Sequence, residues 1–313
     1  MIPYIHVPDL NLLGLTLHPF GLLVATGVII GTALATRRAR RRGFDLDKLN
    51  SFITWMLVAG FMGGHMLDEI FYHPAEILKR PWSLLFLWEG LSSFGGFTGA
   101  VIGALLWKYL EWKPATKTTR AKLVVRPVAQ PILPFADLII SVFPVAWIFG
   151  RSGCSVVHDH PGARASADAL LAVAYGRGPS DKYGPIELIH GNAPQYDLGL
   201  LELMFTIVLA GLVALTWRKK LPLGTYCVVI SLAYAPVRFA MDFLRITGGE
   251  SADPRYGGLT PAQWECTALF AFGFGMLYYM RTLKARGIDP TIHVLASPPE
   301  PDAEVPPPDA ASA

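Results

Sequence analysis

Between Gly150 and Gly162 the chain reads Gly-Arg-Ser-Gly-Cys-Ser-Val-Val-His-Asp-His-Pro-Gly, directly after the apolar run Leu138 to Phe149. With the residues upstream of it, that run is long enough to cross a bilayer. An arginine at such a junction costs roughly 2.5–3.5 kcal/mol at mid-membrane, and less near the interface, unless it has an anion to hold. Arg238 and Arg245, with Gly95-Gly96, fall at the same membrane level once spans are assigned. Arginines gathered at one level of an apolar chain point to a grip on lipid phosphate. The planar guanidinium fork matches phosphate oxygens and stays protonated when partly desolvated.

Several neighbours carry alternatives. His158 or His160 fits a base that takes a proton from an incoming nucleophile, and both also fit a solvated loop. Two histidines this close resemble half of a metal site, but the surrounding sequence shows no further ligand cluster, and no metal is expected. Cys154 is either a nucleophile with His158 four residues away or a small side chain filling space. Arg238 and Asp242 are four apart on one helix face, so they either pair or share a phosphate. Gly95-Gly96 permits close approach by a lipid headgroup or by a neighbouring helix. Asp137, inside an apolar segment, needs a hydrogen-bonding partner in the bundle.

The elements that must position these groups are membrane helices. Of 313 residues, 52% are hydrophobic and only 16% charged, against about 25% charged in soluble domains. Three scattered cysteines exclude a disulfide framework, and nothing in the charge pattern calls for nucleic acid. Seven segments are apolar enough over about 20 residues: Leu13–Ala35, Phe52–Phe71, Leu91–Leu110, Pro131–Phe149, Leu198–Trp217, Leu223–Phe243 and Gln263–Tyr279. The fourth holds Asp137, Pro131, Pro134 and Pro144 and should kink. Met1 to Leu17 lacks a basic region before its apolar part and reads as the lead-in to a retained helix.

Most of the 27 basic residues follow segments one, three, five and seven, including Arg37 to Arg42, Lys113 to Arg126, Arg218 to Lys220 and Arg281 to Arg286. That asymmetry predicts an N-terminus outside and a C-terminus inside. Arg151, Arg238, Asp242 and Arg245 then fall at outer helix ends, with Gly95-Gly96 in the outer half of the third. Residues 1–287 are expected to form one seven-helix, all-α membrane domain, with 151–197 a small extracytoplasmic cap. The proline-, alanine- and acid-rich residues 288–313 are expected to form a disordered cytoplasmic tail.

On this map the chain resembles the bacterial prolipoprotein diacylglyceryl transferases. The residues that carry the resemblance, in order, are Phe20-Gly21, Arg40-Arg41-Arg42-Gly43, Gly63-Gly64-His65-Met66-Leu67 and Trp88-Glu89-Gly90-Leu91-Ser92-Ser93-Phe94-Gly95-Gly96. Ala136-Asp137-Leu138, Gly150-Arg151-Ser152-Gly153, Tyr234, Arg238, Phe239, Asp242, Phe243 and Arg245, and Gly258-Leu259-Thr260 with Gln263-Trp264 follow. Against the family pattern, Phe94 stands for a histidine and Phe20 for a tyrosine. Cys154 and Val157 stand for asparagines, and Asp159 and Asp242 for glutamates.

The resemblance implies a monomeric multi-pass enzyme of the bacterial inner membrane. It would move diacylglyceryl from phosphatidylglycerol to the lipobox cysteine in a prolipoprotein signal peptide, releasing glycerol phosphate and using no cofactor. The expected phosphate-binding residues are Arg151, Gly153, Gly95, Gly96, Asp242 and Arg245. Arg151 and Arg238 would act catalytically, with His158 or His160 as base. Two other readings remain: a divergent member serving a different acceptor, and a non-catalytic phospholipid-binding membrane protein.

Overall fold

A computed structural model describes residues 2–5, 7–12, 15–86, 90–115, 120–166, 168–174, 194–247 and 252–287. Among them the chain is mostly helical: α1 Pro19–Arg42, α2 Leu46–Tyr72, α3 Pro74–Lys79, α4 Ser93–Tyr109, α5 Ile132–Ile140, α6 Phe143–Val157, α7 Leu198–Thr216, α8 Thr225–Met241 and α9 Pro261–Ala285. Sequence punctuates these helices. Pro19 opens α1 and Gly43, at φ 74°, closes it, the usual asymmetry of proline at the start and glycine past the end. The Asp45 carboxylate caps α2 by accepting from the Asp47 and Lys48 amides at 2.9 and 3.1 Å. Thr260 and Gln263 form a reciprocal capping box at the start of α9.

Each of the seven apolar segments contains a helix. By length and composition α1, α7 and α8 (with its one-turn extension to Leu244) are each long and apolar enough to cross a membrane. α5 and α6 make a fourth candidate as a pair bent by 53°. The bend falls where the prolines predict it. Pro144 has no amide hydrogen to bond the carbonyl of Ile140, so the helix cannot run through.

Two expectations need correction. The domain is not purely helical: a four-stranded sheet has the order β1-β7-β8-β6, built from β1 (Ile2–Pro3), β6 (Pro161–Arg164), β7 (Ala172–Ala174) and β8 (Gln195–Asp197). β2 (Leu10–Leu12) pairs with β3 (Leu15–Leu17), and β4 (Leu110–Lys113) with β5 (Lys122–Val125). Strands of two to four residues are too short to leave a period in the sequence. The first helix starts at Pro19 rather than Leu13, because Leu15–Leu17 is spent on β3. Of the 151–197 segment, the described residues form the last turns of α6 and the strands β6, β7 and β8; residues 175–193, and the expected tail 288–313, lie outside the described residues.

The bundle has two unlike ends. At one, Arg38 is buried between the rings of Trp217 and Tyr226, 4.6 and 4.7 Å from their centroids, and donates to the Tyr226 hydroxyl at 2.7 Å. Arg126 donates to the carbonyls of Trp107 and Leu110 there, beside the buried rings of Phe52, Trp107 and Phe135. The four-stranded sheet sits at the other end, where α6 stops and α7 begins. Between the ends, Ile29, Val58, Val101, Val208 and Phe274 stand more than half exposed on five different helices, an apolar belt suited to lipid.

Gly95, Gly99 and Gly103 let α4 lie directly on α2. A Cβ at these positions would come within 2.2 Å of the Gly63 carbonyl oxygen, 2.2 Å of that of Ala59 and 2.4 Å of that of Trp55. Small residues spaced by four are how helices approach closely where lipid gives no hydrophobic drive. Gly99→Leu should therefore pry α2 from α4 and destabilise the detergent-solubilised protein by about 1–3 kcal/mol. Gly96→Ala, whose Cβ meets nothing nearer than 4.0 Å, should leave the thermal midpoint unchanged or slightly raised.

Candidate active site

Glu202 lies one turn into α7, in a helix otherwise free of charge, and is buried. Two helices aim matching pairs at it. From α6 come Trp147 and Arg151, four residues apart and so on one face; from α8 come Tyr234 and Arg238, spaced the same way. Arg151 Nε lies 2.8 Å from Oε1 and Arg238 Nε 3.1 Å from Oε2. The Trp147 indole N–H donates to Oε1 at 3.2 Å, and the Tyr234 hydroxyl donates to the same oxygen. The Arg151 contact is an ion pair whose N–H is poorly aligned for a hydrogen bond. Its guanidinium also lies over the Trp147 ring, 4.6 Å from the centroid, a cation–π contact favoured by desolvation.

The chain of opposite charges continues outward. Arg238 Nη1 donates to Asp242 Oδ1, which also accepts from Arg245 Nε at 3.0 Å. The other Asp242 oxygen takes the Thr260 hydroxyl at the cap of α9, and Arg245 Nη1 pairs with Asp253. Arg151, Glu202, Arg238, Asp242, Arg245 and Asp253 thus alternate in sign from the buried centre to the surface. Buried guanidiniums without such partners would be prohibitively costly. Among the described residues, Nη2 of Arg151, Arg238 and Arg245 carries no hydrogen bond, so forked donors remain for an oxyanion.

The 150–162 stretch divides into a joint and a mouth. His158 ends α6 in the left-handed region, at φ 51°, a conformation that costs a non-glycine residue roughly 1–2 kcal/mol. Its Nδ1 meets Asp197 Oδ2 at 2.6 Å, its Nε2 meets the Ile5 carbonyl at 3.1 Å, and its ring stacks on Tyr4. Asp197 meanwhile caps α7 through the Leu200 amide. His158 therefore ties the N-terminal segment to the α6–α7 corner with both nitrogens.

His160 is partly exposed and bonds Asp159 through Nδ1. Burial opposes ionisation of Asp159, but the facing His160, with Arg151 and Arg245, outweighs it and holds the carboxyl below the usual range. Cys154, one turn past Arg151, lies 3.6 Å from its Nη1. Ligand atoms of Cys154, Asp159 and His160 all fall within 4.8 Å of one another.

Of the residues singled out in the sequence, Arg151, Arg238, Asp242 and Arg245 come together. Gly153 packs on Phe20, where a Cβ would meet the ring at 2.9 Å, and Gly95 is spent on helix packing, with Gly96 beside it on α4. The Phe94 ring meets Phe71 edge-on at 5.3 Å. Sequence reasoning missed Glu202, Trp147 and Asp253. A lone glutamate in a 20-residue apolar segment was the available signal, since an intramembrane carboxylate requires a partner.

Residues 9–279 match the family model described as prolipoprotein diacylglyceryl transferase. Similar curated proteins carry the name phosphatidylglycerol–prolipoprotein diacylglyceryl transferase. The Azoarcus sp. (strain BH72) protein is 24% identical over 272 residues, covering 86% of this chain and 92% of its own. The Salmonella arizonae protein is 27% identical over 269 residues, and that of Cronobacter sakazakii 28% over 256, each match covering 77% of this chain and 83% of the relative. With the match running from residue 9 into the last helix, the chain belongs to the prolipoprotein diacylglyceryl transferase family.

Proposed function

We propose that this chain transfers the diacylglyceryl group of phosphatidylglycerol to the thiol of a lipobox cysteine in a prolipoprotein, at the outer face of a bacterial inner membrane. In this reading all seven helical segments cross the bilayer, with the N-terminus outside and the C-terminus inside. The arginine-rich end with Arg38, Arg42 and Arg126 then faces the cytoplasm, and the Glu202 network lies at the opposite, outer level. The observation that carries the proposal is the buried convergence of Arg151 and Arg238 on Glu202.

The chemistry suits that network. A thiolate attacks the glyceryl carbon, the carbon–oxygen bond breaks, and glycerol phosphate leaves with one more negative charge than the bound diester carried. The main demand is therefore for donors fixed where that charge grows. Arg151, Arg238 and Arg245 supply them, and Glu202 and Asp242 hold the guanidiniums in place before substrate arrives. The acceptor thiol is received by the Asp159–His160 pair at the mouth, since His158 is committed through both nitrogens. An apolar groove of about 490 Å³, lined by Pro236, Val237, Ala240, Met241 and Leu244, runs along the turns of α8 that bear Arg238. It offers a lateral berth for an acyl chain.

A second reading, a different thiol acceptor, is favoured by Phe94, whose aromatic contact with Phe71 offers no base. Mass spectrometry of lipoproteins from cells relying on this protein alone decides between them. Diacylglyceryl-modified lipobox cysteine supports the first; phosphatidylglycerol turnover with unmodified lipoproteins supports the second.

Arg151→Ala should lower transfer to a lipobox peptide by about 10²–10³-fold without preventing membrane insertion, and Arg151→Lys should recover only part of the loss because a point charge lacks the fork. Wild-type turnover in Arg151→Ala would refute the phosphate grip. Glu202→Gln leaves Arg151 and Arg238 sharing a neutral amide, and should cost about 3–5 kcal/mol of stability. A thermal-melt comparison in detergent measures that loss, and Asp159→Asn, near the surface, should cost far less.

A further inference from the structure

We propose that Cys154, Asp159 and His160 bind one zinc ion whose fourth position takes the acceptor thiol; this rests on the transferase reading and specifies how the thiol is activated. The trio is brought together by the corner at His158. α6 delivers Cys154 in its last turns, and the left-handed residue reverses the chain so that residues five and six positions later face the thiol. That corner is fastened on two sides, by Asp197 and by the Ile5 carbonyl. The ligand atoms lie within 4.8 Å of one another, and tetrahedral zinc needs them about 3.3–3.8 Å apart.

The donor set selects the metal. One thiolate, one imidazole and one carboxylate suit zinc, whereas magnesium and calcium prefer all-oxygen sites. Three protein ligands with one position left open is the arrangement of catalytic rather than structural zinc. Charge agrees as well. A dication with the Cys154 thiolate and the Asp159 carboxylate is neutral, so an added thiolate brings one negative charge, and Arg151 Nη1 already lies 3.6 Å from the Cys154 sulfur. The guanidinium does not repel the ion outright, because Glu202 offsets its charge. Asp159 and His160 are partly exposed, giving metal and peptide a way in.

The step balances. On binding zinc the acceptor S–H releases its proton to water, as a coordinating thiol does. The sulfur lone pair forms the bond to the glyceryl carbon, the carbon–oxygen electrons leave with glycerol phosphate, and the metal is neither oxidised nor reduced. The thioether is a weaker ligand than the next thiolate, which displaces it.

The test uses the full-length protein in detergent, stripped with a chelator and titrated with cobalt(II) as the spectroscopic probe. Expected are one equivalent of tetrahedral cobalt and a thiolate-to-cobalt charge-transfer band that intensifies when a lipobox peptide adds its thiol. A peptide with serine for that cysteine should leave the band unchanged. Cys154→Ser should lose the band, and His160→Ala should weaken metal binding about 10–100-fold, both with near-wild-type melting. Full transferase activity after metal removal would overturn the zinc site while leaving the transferase reading intact, as would cobalt uptake no greater than that of His160→Ala. A band indifferent to the peptide thiol would overturn thiol activation. Metal and thiol binding with no diacylglyceryl product would uphold the site and sink the transferase reading.

Discussion

One buried carboxylate, Glu202, must satisfy two guanidiniums that arrive from different helices. An uncompensated arginine at that depth costs several kcal/mol, and so does an uncompensated glutamate. The sequence therefore holds α6, α7 and α8 in one arrangement or suffers the full desolvation of whichever partner is left over. Gly199, a few residues before Glu202, makes the arrangement reachable. A Cβ there would come within 3.0 Å of the Cys154 backbone, and α7 could not approach α6 closely enough for Glu202 to meet Arg151. Trp147 and Tyr234 complete the constraint by donating to the same carboxylate oxygen.

The pairing also bears on how a phosphate would bind. Free guanidiniums packed together would repel each other and trap any anion. Arg238 and Arg245, held by carboxylates through Nε and Nη1, and Arg151, held by Glu202 through Nε and touching Cys154 through Nη1, keep their geometry and a donor each, at a net charge near neutral. A ligand then gains hydrogen bonds without a deep electrostatic well, and the gain grows as its charge rises from diester to monoester. That differential is what lowers a barrier; equal attraction to both states would only tighten binding. The α2–α4 pair, packed through glycines rather than charges, forms a separate wall that scarcely enters this network.

Arg151, Arg238 and Arg245 were legible in the sequence because charge in an apolar context demands a reason, and the structure joins them in one network. Glu202 obeys the same rule, yet no motif drew attention to it. The proline-rich fourth segment kinked as its composition requires. The choice between His158 and His160 was not legible, because it depends on a left-handed corner and on partners at Ile5 and Asp197, which are far away in sequence. The ligand trio was hidden for the same reason: Cys154 sits inside a helix, and only the turn at His158 folds Asp159 and His160 back to it. Gly95-Gly96 had two readings with identical sequence signatures, and only the distance to the Gly63 carbonyl assigns Gly95 to packing.

In the proposed reaction the end of α6 serves both halves of the displacement. Attack at a saturated carbon requires the nucleophile and the leaving group on opposite sides of the reacting atom. Arg151 faces Glu202, which it shares with Arg238, through Nε, and with Nη1 it faces Cys154. The phosphate is then drawn toward the Arg238–Arg245 side, and the acceptor thiol toward the Cys154–His160 side. A single guanidinium, its charge offset by Glu202, thus contacts both sides of the displacement. This gives the substitution of cysteine and aspartate around Arg151 a physical sense, because a soft ligand set on the thiol side leaves the phosphate side intact. The helix end thus carries two jobs that a lone base or a lone arginine cluster would each leave half done.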